Sequence, residues 1–156
     1  MLEIKEAYQK LKESEEFKKE KGFLYLAFSL LDQLELENNF WQLDFYNKKR
    51  VNSYNISQNE IKLVKENEEV ECKNKIEELN LDKFNLDYKE LLSLIKEKLE
   101  FYKFRPQKYI LILQDNYWNA SIISTDFFIL KLKVNAENKK IEECSTDHIL
   151  NFQKRL

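Results

Sequence analysis

Trp118-Asn119-Ala120-Ser121-Ile122 alternates apolar and polar side chains, Ser124-Thr125-Asp126 interrupts the run, and Phe127 to Val134 resumes it. After Asn135-Ala136-Glu137-Asn138-Lys139-Lys140 the chain becomes apolar again at Ile141. Period-two alternation puts one set of side chains on each side of a pleated strand, so this stretch predicts half-buried antiparallel strands joined by short polar turns. Just upstream, Tyr109 to Leu113 is a dense β-prone run closed by Gln114-Asp115-Asn116. Before that, Asp87 offers an N-cap for a helix over Tyr88 to Tyr102, with Leu91, Leu92, Ile95 and Leu99 on one face and Pro106 just past its end.

The same alternation recurs earlier, in Trp41-Gln42-Leu43-Asp44-Phe45. Asn47-Lys48-Lys49-Arg50 reads as a turn, Val51 to Ile56 as a second strand, Ser57-Gln58-Asn59-Glu60 as another turn, and Ile61-Lys62-Leu63 as the opening of a third strand. Lys65 to Lys75 is charge-dense, with Val70 and Cys72 able to make a short strand inside it. The residues ahead of Trp41 read as helix. Ile4, Ala7, Tyr8 and Leu11 have helical spacing; Ser14 precedes Glu15 and Glu16 as a cap. Phe17, Leu24 and Leu31, with Phe23, Ala27, Leu30 and Leu34, then form a broad apolar stripe.

The halves match in order and phase. Trp41, Leu43 and Phe45 share a strand face, as do Trp118, Ala120 and Ile122; Ile56 leads Leu63 by seven residues, and Val134 leads Ile141 by seven. The offset is 77 residues at the tryptophans and 78 at the later pairs. These positions predict a duplicated core. The fold expected is α+β: two tandem units of helix plus antiparallel sheet, cystatin-like in outline, over residues 1–80 and 81–156.

The strand pattern from Trp118 through Ile141 resembles the strand core of PepSY-type domains, and the chain is similar to small archaeal proteins with tandem PepSY-like units. The resemblance implies a helix packed across a small antiparallel sheet whose last hairpin carries a Val-Asp-Ala-x-x-Gly-x-Ile turn. Here Asn135 stands for the Asp and Lys139 for the Gly, with Asn138 the residue expected to take the left-handed position. The family implies a non-catalytic role, inhibiting or regulating peptidases or serving as an accessory to membrane assemblies. It carries over no catalytic residues.

Composition excludes several chemistries. Of 156 residues only Gly22 is glycine, so neither a P-loop nor a dinucleotide fingerprint is present. The net charge of −2, from 26 Lys and Arg against 28 Asp and Glu, lowers the case for bulk attraction to nucleic acid. Cys72 and Cys144 form no CxxC, and the longest apolar run, Phe23 to Leu31, falls short of the ~20 residues of a membrane span. Met1 to Glu6 lacks the basic-then-apolar pattern of a signal peptide, and the expected location is the cytoplasm.

Three functional readings follow. The leading one is a non-catalytic protein-binding or regulatory module acting on another protein, with no cofactor, because no nucleophile, base or metal constellation is visible. The second is nucleic-acid or ribosome association through the basic clusters Lys18, Lys19, Lys21 and Lys48, Lys49, Arg50. The third is a metal or thiol hydrolase using Cys144 and His148, which would share a face if the segment were helical. Paired carboxylates such as Asp32 with Glu35 and Glu142 with Glu143 read as solvated surface, and both tryptophans read as core rather than ligand platforms.

Overall fold

A computed structural model describes residues 1–35, 39–71 and 74–150. Helix α1 (Ile4–Lys12) precedes strands β1 (Phe23–Leu31), β2 (Trp41–Asn47), β3 (Arg50–Ile56) and β4 (Ile61–Glu69). Helix α2 (Tyr88–Phe101) precedes β5 (Pro106–Gln114), β6 (Tyr117–Ser124), β7 (Phe128–Asn135) and β8 (Ile141–His148). All eight strands form one antiparallel sheet in the order β4-β3-β2-β1-β5-β6-β7-β8.

This corrects the expected α+β pair of tandem helix-plus-sheet units. The fold is dominated by a single sheet, with two short helices, and β1 pairs directly with β5 from Leu26↔Gln114 to Leu31↔Tyr109. The segment read as the most buried helix, around Phe23 to Leu31, is the central strand β1. The misreading has a local cause. A bulge between Leu24 and Leu26 shifts the pairing of β1 with β2, so Leu24 and Ala27 lie three residues apart yet both reach the core. Leu24, Ala27 and Leu31 therefore copy the i, i+3, i+7 spacing of a helix.

Both helices lie on one face. Tyr8 of α1 stacks on Phe45, and Tyr88 of α2 meets Trp41 edge-on. Burial alternates strictly along β6, with Trp118, Ala120, Ile122 and Ser124 buried and the residues between them half-exposed, as in a sheet covered on one side. Asp87 caps α2 by accepting from the Glu90 N–H (2.8 Å). The two N–H groups ahead of it, on Tyr88 and Lys89, are taken by the carboxylate of Glu3, at 2.7 and 3.0 Å. One acidic side chain at the start of α1 thus satisfies the open N-terminus of α2 and ties the helices together. Burial outweighs these bonds and pushes the Glu3 carboxyl up from its ordinary value.

The centre of the core is a tryptophan pair. Trp41 on β2 and Trp118 on β6 meet with ring centroids 5.7 Å apart, spanning β1 and β5. Ala27 and Ser29, both fully buried, are the small residues that β1 presents there. Each indole N–H donates to the backbone just ahead of a helix, Trp41 to the Leu2 carbonyl (2.8 Å) and Trp118 to the Leu86 carbonyl (3.0 Å). Enlarging Ala27 would wedge the rings apart. Ala27→Leu is expected to cost about 1–3 kcal/mol, seen as a lower urea midpoint with an unchanged slope.

Candidate functional site

The chain's turns are built without glycine, and this shapes its surface. Gly22 keeps a negative φ; it is needed because a Cβ there would lie 2.9 Å from the Tyr46 carbonyl oxygen. Positive φ falls instead on Lys48, Lys49, Asn67, Lys103, Asp115, Phe127 and Lys139. In the last hairpin Lys139, not Asn138, takes the left-handed position; Asn135 Oδ1 accepts from the N–H groups of Glu137 and Asn138 to hold the turn.

Two of these residues flank a hollow of about 430 Å³ at one end of the sheet. One wall is the exit of α2, where Lys103 (φ 51°) makes the left-handed cap and the Phe104 N–H returns to the Leu99 carbonyl (2.8 Å). The other is the β6–β7 turn from Ser124 to Phe128, with Thr146 of β8 completing the lining. Buried Ser124 donates its hydroxyl to Asp126 (2.5 Å) and accepts from the Phe128 N–H (2.9 Å). That hydroxyl holds the Asp126 carboxyl below the ordinary aspartate range, helped by the charges of Arg105 and His148. Ser124 and Asp126 are thereby committed to building the turn.

Exposed apolar side chains line the hollow, as Tyr102 and Phe128 do, or lie next in the chain to its lining residues. Phe101 is 75% exposed and Phe127 62%, and Tyr102, Phe128 and Leu150 are exposed as well. Phe101 and Tyr102 stack edge to face at 5.0 Å, and the Ile149 N–H bonds the Phe127 carbonyl (2.8 Å), bringing Leu150 alongside. Phe127 is the unusual member. It holds φ at 65°, where a bulky side chain is strained, yet points its ring into solvent. No pattern in the sequence flagged it, because Ser124-Thr125-Asp126-Phe127 looks like an ordinary turn running into a strand.

The sequence candidates are distributed as follows. Trp41, Leu43, Phe45, Ile56, Trp118, Ala120, Ile122 and Val134 are buried on the helix-covered face. Leu63 is half-buried and Ile141 exposed, since each lies in an edge strand with no described strand outside it. Cys144 and His148 sit on a strand, not a helix, so their Cα atoms are ~13 Å apart, too far to share one metal ion. Cys144 Sγ faces the Tyr102 hydroxyl at 3.9 Å; His148 packs edge-on to Phe128 and its Nδ1 accepts from the Leu150 N–H (3.2 Å). Among the described residues no group of three or more His, Cys, Asp or Glu could hold a metal. Cys72 lies outside the described residues. Asp32 pairs with Lys108, and Glu35 with Lys96.

The basic clusters converge. Lys19, Lys21, Lys48 and Arg50 line one hollow at the opposite end of the sheet, with Lys49 next in the turn, while Lys18 pairs with Glu15 (2.7 Å). Glu20 sits among them, but its carboxylate is bound by Asn52 Nδ2, the Tyr54 hydroxyl and the Gly22 N–H at 2.8–3.0 Å.

No protein-family model matches the sequence, and no curated protein matches it. A solved structure is similar: a "putative lipoprotein" from Clostridium difficile 630, 11% identical, with 94% of this chain and 93% of that chain covered and a TM-score of 0.57. At that identity the likeness shows the fold alone. It does not bear on the PepSY resemblance; what is corrected is the cystatin-like outline of two helix-plus-sheet repeats, in whose place stands one eight-stranded sheet. Among the described residues no helix is long and apolar enough to cross a membrane.

The Lys48-Lys49 turn carries two left-handed lysines in succession (φ 49° and 65°) between β2 and β3. A two-residue turn of this hand favours Asn-Gly. Replacing Lys48-Lys49 by Asn-Gly is expected to stabilise the protein by about 0.5–2 kcal/mol, measured as a raised urea midpoint.

Proposed function

We propose that this chain is a non-catalytic protein-binding module that docks its partner at the aromatic hollow between the end of α2 and the β6–β7 turn. The observation that carries this is Phe127, a strained residue whose ring is left in water in the turn that walls the hollow, next in the chain to Phe128, which lines it with Tyr102. Folding alone favours Asn or Gly at such a φ, so an exposed Phe is kept there at a cost to stability. Aromatic anchors with a mixed-charge rim, here Lys103, Arg105 and Asp126, have the make-up of a protein-binding surface rather than of a uniformly charged one. The hydrogen-bonding groups nearest the hollow, Ser124 and Asp126, are consumed by the turn, which supports binding over catalysis.

The basic hollow favours a second reading, binding to phosphate groups of nucleic acid, because Lys48 and Lys49 are likewise held in strained geometry. The Asn-Gly replacement tests it as well. RNA retention on a gel that disappears with that change supports the second reading, and the absence of RNA binding by the wild type at low salt removes it.

For the leading reading, a photo-cross-linking phenylalanine analogue at Phe101 is compared with the same analogue at Val64 on β4. One discrete adduct from Phe101, absent from Val64, is expected, and Phe127→Asn should abolish it while stabilising the fold by about 0.5–1 kcal/mol. Identical adducts from both positions, or none, would contradict docking at the hollow.

A further inference from the structure

The two sheet edges are defended very differently. β4 carries Lys62, Lys65, Glu66, Glu68 and Glu69, is interrupted by Asn67 at φ 50°, and slips register against β3 twice between Val51 and Tyr54. Charges and bulges of this kind stop an edge from recruiting another strand. β8 keeps its charges toward its two ends. Its one irregularity lies near its start, between Lys133 and Val134, and from there Glu143 to His148 pairs regularly with Lys133 to Phe128. Its middle, Cys144-Ser145-Thr146, is uncharged, and no described strand lies beyond it.

We infer that β8 is a strand-addition site for an extended, basic segment of a partner protein. This rests on the protein-binding reading above and names the partner's chemistry. β8 carries Glu142, Glu143 and Asp147 and no Lys or Arg. Among the described residues neither Glu142 nor Glu143 is in an ion pair; Lys133, the register neighbour of Glu143, directs its ammonium over the Tyr117 ring at 4.4 Å. An added strand gains main-chain hydrogen bonds along β8, and its alternate side chains face opposite sides of the sheet. On the side away from the helices they meet Glu143 and Ser145, which favours Lys or Arg. On the helix side they meet Cys144 and Thr146, next to the aromatic hollow that Thr146 helps to line, which favours apolar residues.

A second copy is a poor occupant. The antiparallel pairing of two β8 strands about Ser145 would set Glu143 against Asp147 on both sides of the centre, in a seam without a single Lys or Arg. Like charges directly opposite each other destabilise a pair of strands.

The test uses the full chain and a capped, fluorescently labelled Lys-Val-Lys-Val-Lys-Val-Lys peptide at physiological ionic strength, with anisotropy for affinity and amide exchange for location. Saturable binding that slows exchange in β8 and not in β4 is expected. Binding should weaken roughly tenfold or more with a Glu-Val peptide, with a proline-interrupted Lys-Val peptide, and with the edge variant Ser145→Lys. Glu143→Gln, which keeps the shape of the strand, should weaken it less. No saturation, equal binding of the proline-interrupted peptide, indifference to Ser145→Lys, or β8 protection that depends only on protein concentration would each overturn the inference. Loss of peptide binding with the Phe101 cross-link intact would refute strand addition alone. Loss of the cross-link with peptide binding intact would refute docking at the hollow alone.

Discussion

The structure depends on two indoles meeting across the middle of the sheet. Trp41 and Trp118 come from strands separated by β1 and β5, so their contact can form only if those two strands pair and β1 keeps its core-facing side chains small between them. Ala27 and Ser29 meet that need, and Ser29 satisfies its buried hydroxyl on the Phe40 carbonyl (2.7 Å). Because each indole also donates to the backbone ahead of a helix, the pair fixes where α1 and α2 start as well as how the strands join. The segment ahead of α2 is stitched into the same frame: Leu79 donates to the Leu24 carbonyl at the β1 bulge, and Asn85 and Leu86 both donate to the Ala136 carbonyl.

That frame explains the division of labour over the surface. The helix-covered face is fully used by the core, which leaves the opposite face, the edges and the strand ends for recognition. At the ends the scarcity of glycine matters most. Left-handed positions that other chains give to Gly fall here on four lysines, an asparagine, an aspartate and a phenylalanine. Side chains are therefore displayed at the tightest corners of the fold, cationic at the β2–β3 corner and aromatic at the β6–β7 corner. The hollow beside Phe127 and the open edge at β8 adjoin through Thr146, so a partner engaging one lies next to the other.

Much of the sheet was legible because alternation is a direct consequence of pleating. Trp41 to Phe45, Trp118 to Ile122 and the run to Val134 declare their strands and faces without any tertiary information. Asp87 likewise marks the start of α2, since its side chain has one obvious use before a periodic apolar run. β1 was not legible. As a central strand it is apolar nearly throughout, and its bulge converts a period of two into helix-like spacing. With β1 misread, the pairing that joins β1 to β5 was invisible, and two units were expected where one sheet exists. The site was hidden for a different reason. Backbone φ leaves no mark on a sequence when the residue that adopts it is Phe or Lys instead of Gly or Asn, so neither the strain at Phe127 nor its exposure could be anticipated.

The central claim is that one core, closed by the tryptophan pair, unites all eight strands. It is tested most directly with Trp41→Phe and Trp118→Phe, each of which leaves a single tryptophan reporting on β6 or β2 respectively. In urea, the fluorescence of the remaining tryptophan and the far-UV circular dichroism of the whole chain should trace the same transition in both variants. A fluorescence midpoint displaced from the dichroism midpoint in either variant would mean that the two ends of the sheet unfold separately, and would contradict the account.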